Sequence, residues 1–139
     1  MKIKIICTGK LKEQYLRDAC GEYQKRLRNI EIIELPEKRT IELESENIKK
    51  HLSGYSVALC VEGKQLDSVE LSNHIYGQML PEVCFVIGSS EGLADEIKRL
   101  CDFRLSFGKL TFPHQLMRVI LLEQIYRIHK INQGEKYHK

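Results

Sequence analysis

The chain has 139 residues, of which 42% are hydrophobic and 29% are charged, and its formal net charge is +3 at pH 7. These values are typical of a globular protein with a buried core, and we predict one domain covering residues 1–139. No apolar run approaches the length of a membrane span, so we expect no membrane partner. The mild positive charge neither requires nor excludes a nucleic acid partner.

The five cysteines are scattered along the chain and form no CxxC pair. A disulfide framework or a zinc site is therefore not expected, and the five dispersed histidines give no other metal spacing. Because the first apolar run is too short for a signal peptide, we read it as a strand. Together these features favour a reducing, cytoplasmic location and a protein without a metal.

Short β-branched or apolar runs alternate with stretches of helical periodicity. The pattern predicts strands at residues 2–7, 30–35, 57–61, 83–87 and 103–107. It predicts helices at residues 11–28, 42–52, 69–79, 94–101 and 113–132. The third and fourth strands are apolar throughout, which is typical of central strands in a sheet covered on both faces. The sequence therefore predicts an α/β fold with a mostly parallel sheet flanked by helices.

Two local signals set the boundaries of the predicted elements in the middle of the chain. We expect Gly63 to break the third strand, and Ser68 to cap the helix that follows it. Near the end of the chain, Pro113 suits the first turn of the last helix. Basic residues cluster within residues 10–28 and again within residues 130–139. Each cluster is explained by a solvated face, but two clusters that converge would form a phosphate-binding surface.

Three loops that leave predicted strand ends contain glycine: residues 62–64, 88–92 and 108–111. A tight turn explains each glycine by itself, whereas a ligand approached closely by the backbone explains all three together. Because the strands before the first two loops are both predicted to be central, we expect a shared pocket. The fingerprints GxGxxG and GxxxxGK[ST] are absent, so NAD-type and P-loop sites lose their main support.

Polar residues with possible chemistry lie at both ends of the last predicted helix. His114 and Arg118 are four residues apart, so they share a helix face near an end that attracts anions. A polar face that meets solvent explains the same spacing equally well. The chain closes with Tyr137, His138 and Lys139, which can stack, transfer a proton and pair with a phosphate.

Four segments together resemble the ribosomal large subunit methyltransferase H family of SPOUT methyltransferases: residues 59–64, 85–92, 105–115 with Arg118, and 137–139. The resemblance covers the whole chain, and its FPHQ segment and YHK ending are highly specific. It implies a deep trefoil knot in the C-terminal part, a homodimer and S-adenosylmethionine as methyl donor. It also implies methylation of N3 of pseudouridine 1915, in helix 69 of 23S rRNA, on assembled ribosomes.

The resemblance also places a cofactor site on this chain. The implied cofactor-binding residues are Leu59, Gly88, Phe107, Gly108, Lys109, Leu110, Thr111 and Phe112. An adenine fits an apolar slot with backbone hydrogen bonds, and small residues let the backbone come close. Where the family usually has a second glycine, this chain has Ser89. If that position needs a positive φ, we expect Ser89 to be strained and cofactor binding to be modestly affected.

For catalysis, the resemblance and the residue chemistry single out His114, Arg118, Tyr137 and His138. We hypothesise that His138 accepts the N3 proton or orients the base, and that Arg118 stabilises negative charge on the acceptor. Tyr137 is expected to stack on an RNA base. The position of the tail at the end of the chain suggests that it completes the site of a partner subunit.

Two other functions agree with parts of the pattern. A non-catalytic ribosome- or RNA-binding module is compatible with the basic clusters, but it leaves the three glycine-bearing loops unexplained. A flavodoxin-like enzyme that binds a nucleotide or a phosphate is compatible with the alternation of strands and helices. Binding of S-adenosylmethionine, of a flavin or nucleotide, or of neither would distinguish the three functions.

Overall fold

The computed structural model describes all 139 residues, in which five strands alternate with five helices. The strands are β1 (Lys2–Thr8), β2 (Ile30–Leu35), β3 (Tyr55–Gln65), β4 (Glu82–Ile87) and β5 (Phe103–Ser106). The helices are α1 (Gln14–Arg26), α2 (Ile41–His51), α3 (Ser68–Tyr76), α4 (Asp95–Leu100) and α5 (His114–Asn132). Every predicted element is present, and most boundaries agree with the predicted ones to within one residue.

All five strands form one parallel sheet in the order β2-β1-β4-β3-β5. Helices α1, α3 and α5 pack on one face of this sheet, and α2 and α4 pack on the other. Connections that run towards β2 use the first face and those that run towards β5 use the second, so all four strand-to-strand crossovers have the same hand. The predicted α/β class and the parallel sheet flanked by helices are confirmed.

The predicted break of the third strand at Gly63 is wrong, because β3 continues to Gln65. Its pairing with β5 shifts register, so that both Leu59 and Lys64 lie opposite Leu105. Residues 60–63 therefore bulge out of the sheet, and we call this segment the β3 excursion. A Cβ at Gly63 would lie 2.8 Å from the backbone of Leu105, so glycine is needed here for close packing and not for a turn.

Two helix starts also differ from the predictions. The cap of α3 is Asp67, not Ser68, because the Asp67 carboxylate accepts from the Glu70 amide while the Glu70 side chain accepts from the Asp67 amide. This reciprocal pair is a capping box, which satisfies two backbone donors at once. Helix α1 begins at Gln14 instead of residue 11, and the residues before it continue the loop from β1.

Two half-buried histidines should make the folded protein less stable in mild acid. Burial lowers the pKa of His74 below its ordinary value of 6.5, and the charge of Lys64 lowers it further. Burial and then Lys130 lower the pKa of His129 in the same way. The unfolded chain therefore binds more protons in this range, so the stabilisation is complete above pH 6.5 and is lost as the pH falls below it. Urea unfolding between pH 7.5 and 5 should show this decline.

The double variant His74→Gln/His129→Gln is the control for that decline. It removes both groups that gain protons on unfolding, so its stability should depend less on pH across the same window. An equal slope in the variant and the native chain would contradict the assignment.

Candidate functional site

A cavity of about 650 Å³ lies where β3 and β4 end and where the chain leaves β5. This is the edge at which parallel α/β sheets bind ligands, and the volume is that of a small-molecule site. Its apolar wall includes Leu59, Ile87, Leu93, Phe112 and Met117. Since β3 and β4 are neighbours in the sheet, the shared pocket expected from the sequence is present.

Glycines let the backbone form two walls of this cavity. A Cβ on Gly88 would lie 2.5 Å from the backbone of Gly92, so no larger residue fits at the end of β4. Gly108 has φ of +122°, and a Cβ there would point into open space. A ligand in the cavity can therefore contact the backbone at Gly108 directly.

Ser89 is not strained, contrary to the expectation from the sequence. The only non-glycine residues with positive φ are Asn29 and Met79. The Ser89 hydroxyl instead donates to Glu44 Oε1 over 2.8 Å, and Glu44 Oε2 accepts from the Lys38 amide over 3.0 Å. Both side chains of the Ser89–Glu44 pair are buried. The hydroxyl therefore ties the loop after β4 to the start of α2.

We predict that Ser89→Ala destabilises the protein and weakens ligand binding in the cavity. The substitution leaves one oxygen of the buried Glu44 carboxylate without its donor, which costs about 1–3 kcal/mol. Loosening of the loop at Gly88 should accompany the loss of stability. Thermal unfolding and calorimetry of the bound ligand measure the two effects. Ser90→Ala, at the exposed neighbour, is the matched control and should leave the unfolding temperature near that of the native chain.

Seven of the eight predicted cofactor residues line the cavity: Leu59, Gly88, Phe107, Gly108, Leu110, Thr111 and Phe112. Lys109 does not, although it lies between two residues that do, and its side chain is exposed. Leu110 is 74% exposed and stands at the mouth. An apolar side chain held in water at the rim of a cavity is placed to cover a bound apolar group.

His114, at the start of α5, also lines the cavity. Its Nε2 atom is buried, has no hydrogen-bond partner and lies 3.6 Å from Glu37 Oε1. A buried ring nitrogen without a partner is uncommon, because leaving it unpaired costs free energy. Of the four predicted catalytic residues, His114 is therefore the one that the structure brings to this cavity.

Arg118 does not reach the cavity. Its guanidinium is buried, donates to Glu34 Oε2 over 2.7 Å and donates to the Gly9 carbonyl over 2.9 Å. Its charge is thus neutralised at the carboxyl ends of β1 and β2. This position does not fit the predicted contact with negative charge on an acceptor, and it makes Arg118 a clamp between α5 and the sheet.

Tyr137 and His138 fold back along their own helix. The Tyr137 ring lies under Arg127, 4.9 Å from Cζ, and edge-on to Tyr126. His138 lines a second cavity, of about 470 Å³, formed by the start of α3 and residues 106–108. Phe107 and Gly108 line both cavities, so the cavity beside the tail adjoins the first cavity at these two residues.

The contact between Arg127 and His138 orients the imidazole. Arg127 Nη1 lies 3.1 Å from His138 Nδ1, and arginine can only donate, so Nδ1 is the acceptor in this arrangement. The other ring nitrogen, Nε2, is left for a ligand.

The sequence of the whole chain matches a known family. The family described as "Predicted SPOUT methyltransferase" matches residues 1–138. "Ribosomal RNA large subunit methyltransferase H" of Streptococcus equi subsp. zooepidemicus (strain MGCS10565) is 45% identical over 160 residues, with all of both chains covered. The protein of the same name from Bifidobacterium animalis subsp. lactis (strain AD011) is 48% identical over 159 residues, again with complete coverage. The chain belongs to the ribosomal RNA large subunit methyltransferase H family.

This methyltransferase has fewer residues than its alignment with the streptococcal relative has positions. That alignment spans 160 positions and contains the whole of both chains, so at least 21 positions, the difference between 160 and 139, lack a residue here.

Solved structures support the SPOUT methyltransferase fold. A probable methylase family protein from Haemophilus influenzae Rd KW20 superposes with a TM-score of 0.60 at 11% identity, over 99% of this chain and 70% of that one. The SpoU methyltransferase AviRb from Streptomyces viridochromogenes, solved with AdoMet, superposes with a TM-score of 0.54 at 9% identity, over 92% and 58%. At these identities the likeness concerns the fold alone.

SPOUT methyltransferases use S-adenosylmethionine, and the cavity fits such a group. Its apolar wall suits an adenine, the bare backbone at Gly108 offers hydrogen bonds, and its volume is sufficient. No group of three or more metal-ligating side chains is placed to hold a metal ion. No helix combines the length and the apolar character needed to cross a membrane.

The sequence interpretation missed several features of the site. Ile87, Leu93 and Met117 line the cavity, and the proximity of Ile87 to Gly88 and of Met117 to His114 was a usable signal. The link from Ser89 to Glu44 joins residues 45 positions apart, for which the sequence alone carries no signal.

Proposed function

We propose that this protein transfers a methyl group from S-adenosylmethionine to N3 of the helix 69 pseudouridine of 23S rRNA, on assembled ribosomes in the cytoplasm. The observation that carries the proposal is the gathering of seven predicted cofactor residues around one cavity in a chain whose relatives are named for rRNA methylation. Membership of a methyltransferase family favours this function over the RNA-binding module and the flavodoxin-like enzyme.

In this proposal the adenosine of the cofactor lies between Leu59, Ile87 and Leu110, with backbone contacts at Gly88 and within residues 107–112. The apolar wall favours the adenine, and the glycines admit it without a steric penalty. When bound, S-adenosylmethionine supplies an electrophilic methyl group on its sulfonium sulfur.

The acceptor base enters from the side of the tail. The second cavity shares Phe107 and Gly108 with the first, so a base held there would approach the cofactor cavity across these residues. Tyr137 stacks on RNA, and His138 either accepts the N3 proton or orients the group that does. For His138 to accept this proton, Arg127 must first release Nδ1. His114, with its unpaired Nε2, is placed to bind a polar group of either ligand.

We further propose that two copies assemble as a homodimer and that the C-terminal part is knotted. Apolar side chains on α1 and α5 support the dimer, because Tyr15 is 68% exposed and Leu116 is 37% exposed. The placement of the last elements supports the knot, since residues 107–113 lead from the edge strand β5 to α5, which packs on the face opposite α4. In such a dimer the tail would act on its own site or on that of the partner.

The test is transfer of a labelled methyl group to ribosomes from a strain that lacks the modification, with free 23S rRNA as the comparison. We expect incorporation at a single pseudouridine and a strong preference for assembled ribosomes. Calorimetry with S-adenosylmethionine completes the test. RNA binding without cofactor binding would favour the RNA-binding module, and preference for a flavin or nucleotide would favour the flavodoxin-like enzyme.

A further inference from the structure

A charged groove of about 690 Å³ runs along the outer edge of the sheet. It lies between α4, the start of β5 and the β3 excursion, and β5 has no further strand beyond it. Its charged lining consists of four cations and two carboxylates: Lys64, Lys98, Arg99, Arg104, Glu62 and Asp102. All four cations lie outside the two basic clusters seen in the sequence.

Both carboxylates in the groove are already engaged. Asp102 accepts from the Ser56 amide over 2.8 Å, and Glu62 pairs with Lys98. Lys64, Arg99 and Arg104 are exposed and have no carboxylate within 4.0 Å. Three cations that the fold does not neutralise thus share one concave surface, where a polyanion would meet all of them together.

The groove adjoins the cofactor cavity. Glu62 and Lys98 line both, so the β3 excursion and α4 form a common wall between them. A chain of phosphates lying in the groove would therefore continue to the mouth of the cavity that holds the methyl donor. Few apolar side chains line the groove, which disfavours a protein partner, since protein interfaces need an apolar centre.

We propose that this groove binds the phosphate backbone of the RNA substrate, with Lys64, Arg99 and Arg104 each contacting a phosphate. The inference rests on the proposed function and adds to it the surface that holds the nucleotides flanking the target. Cation contacts to phosphates position an RNA without reading its sequence. The groove accordingly determines affinity and placement, and the cavities with the tail determine the chemistry.

The test compares two triple variants of equal charge. The groove variant is Lys64→Gln/Arg99→Gln/Arg104→Gln, and the control is Lys38→Gln/Arg39→Gln/Lys50→Gln, which removes three exposed cations that lie outside the groove and outside both basic clusters. The probe is a labelled RNA hairpin with the sequence of helix 69, bound at several salt concentrations. Each phosphate contact contributes about 0.7 to the slope of log K against log salt for single strands, so the groove variant should lose about 2. Its binding should weaken by about 100-fold at 0.1 M salt.

The control should bind RNA nearly as the native chain does, and both variants should bind S-adenosylmethionine unchanged. A groove variant that keeps the native affinity and salt slope, or that loses no more than the control, overturns the proposal. If the triple variant does not fold, Lys64→Gln and Arg104→Gln alone decide, each with an expected slope change of about 0.7.

Methyl transfer by the native chain separates this inference from the proposed function. If the native chain methylates ribosomes and the groove variant binds RNA normally, the groove is not the RNA-binding surface and the proposed function stands. If the native chain methylates nothing, but only the groove variant loses RNA binding, the proposed function is wrong and the assignment of the groove to RNA stands. If the native chain neither binds nor methylates RNA, both are wrong.

Discussion

Arg118→Met is expected to lower the free energy of unfolding by about 3 kcal/mol, which corresponds to a fall in unfolding temperature of roughly 10 °C. The guanidinium is buried and bridges Glu34 Oε2 and the Gly9 carbonyl. Methionine fills a similar volume, but it leaves that carbonyl and that carboxylate without their donor. Because the Glu34 side chain is 37% exposed, water recovers part of its loss, and the estimate lies at the lower end for buried pairs. Urea unfolding measures the change.

A second variant distinguishes a clamp from a catalytic group. Glu34→Gln keeps a hydrogen-bond acceptor for Arg118 but leaves the buried guanidinium without its counter-charge, so it should cost an amount of stability comparable to that of Arg118→Met. If Arg118 is a clamp, methyl transfer by each variant, measured well below its unfolding temperature, should fall no further than cofactor binding does. A loss of turnover of 100-fold or more in Arg118→Met, with full stability, would return Arg118 to the role predicted from the sequence.

Local patterns were sufficient to predict the layers of this fold. The apolar runs at Val83–Ile87 and around Val57 predicted central strands, and they are neighbours in the sheet. Gly63 shows the limit of such patterns. A glycine within an apolar run signals either a turn or a close approach of two backbones, and only the position of β5 decides between them. Pairing between distant segments is a property of the whole chain, and no local window contains it.

In the candidate site, too, local features were predicted and contacts between distant segments were not. The loop at residues 107–112 was predicted as a unit, and all of it except Lys109 lines the cavity, because a short loop after a strand can only lie at the sheet edge. Side-chain contacts between distant segments were not predicted. The partner of Arg118 is 84 positions away and that of Ser89 is 45 positions away. The local sequence does not show whether such a charged or hydroxyl group contacts a ligand or a distant part of the protein.

His138→Ala is expected to lower the rate of methyl transfer by about 10²–10⁴-fold while S-adenosylmethionine binds as before. General acid–base catalysis by a positioned imidazole is worth this much, and His138 lines the second cavity, outside the proposed cofactor cavity. Single-turnover methylation of ribosomes measures the rate, and calorimetry measures cofactor affinity. Tyr137→Phe is the control for the fold of the tail, because it keeps the ring under Arg127 and loses only the long hydrogen bond to Glu123, 3.3 Å. Native turnover in His138→Ala would remove the proton-transfer role.

In the proposed homodimer, the same variant decides on which subunit the tail acts. His138→Ala and Gly88→Val should each be inactive, the first through the tail and the second because a side chain at Gly88 would collide with the Gly92 backbone at 2.5 Å. If each tail serves the partner's cavity, a dimer with one copy of each variant has both defects at one site and an intact second site. Mixing the two inactive proteins should then restore up to a quarter of native activity, or about 25%. If each tail serves its own cavity, as its packing along α5 and under Arg127 favours, both sites of a mixed dimer are defective and no activity returns.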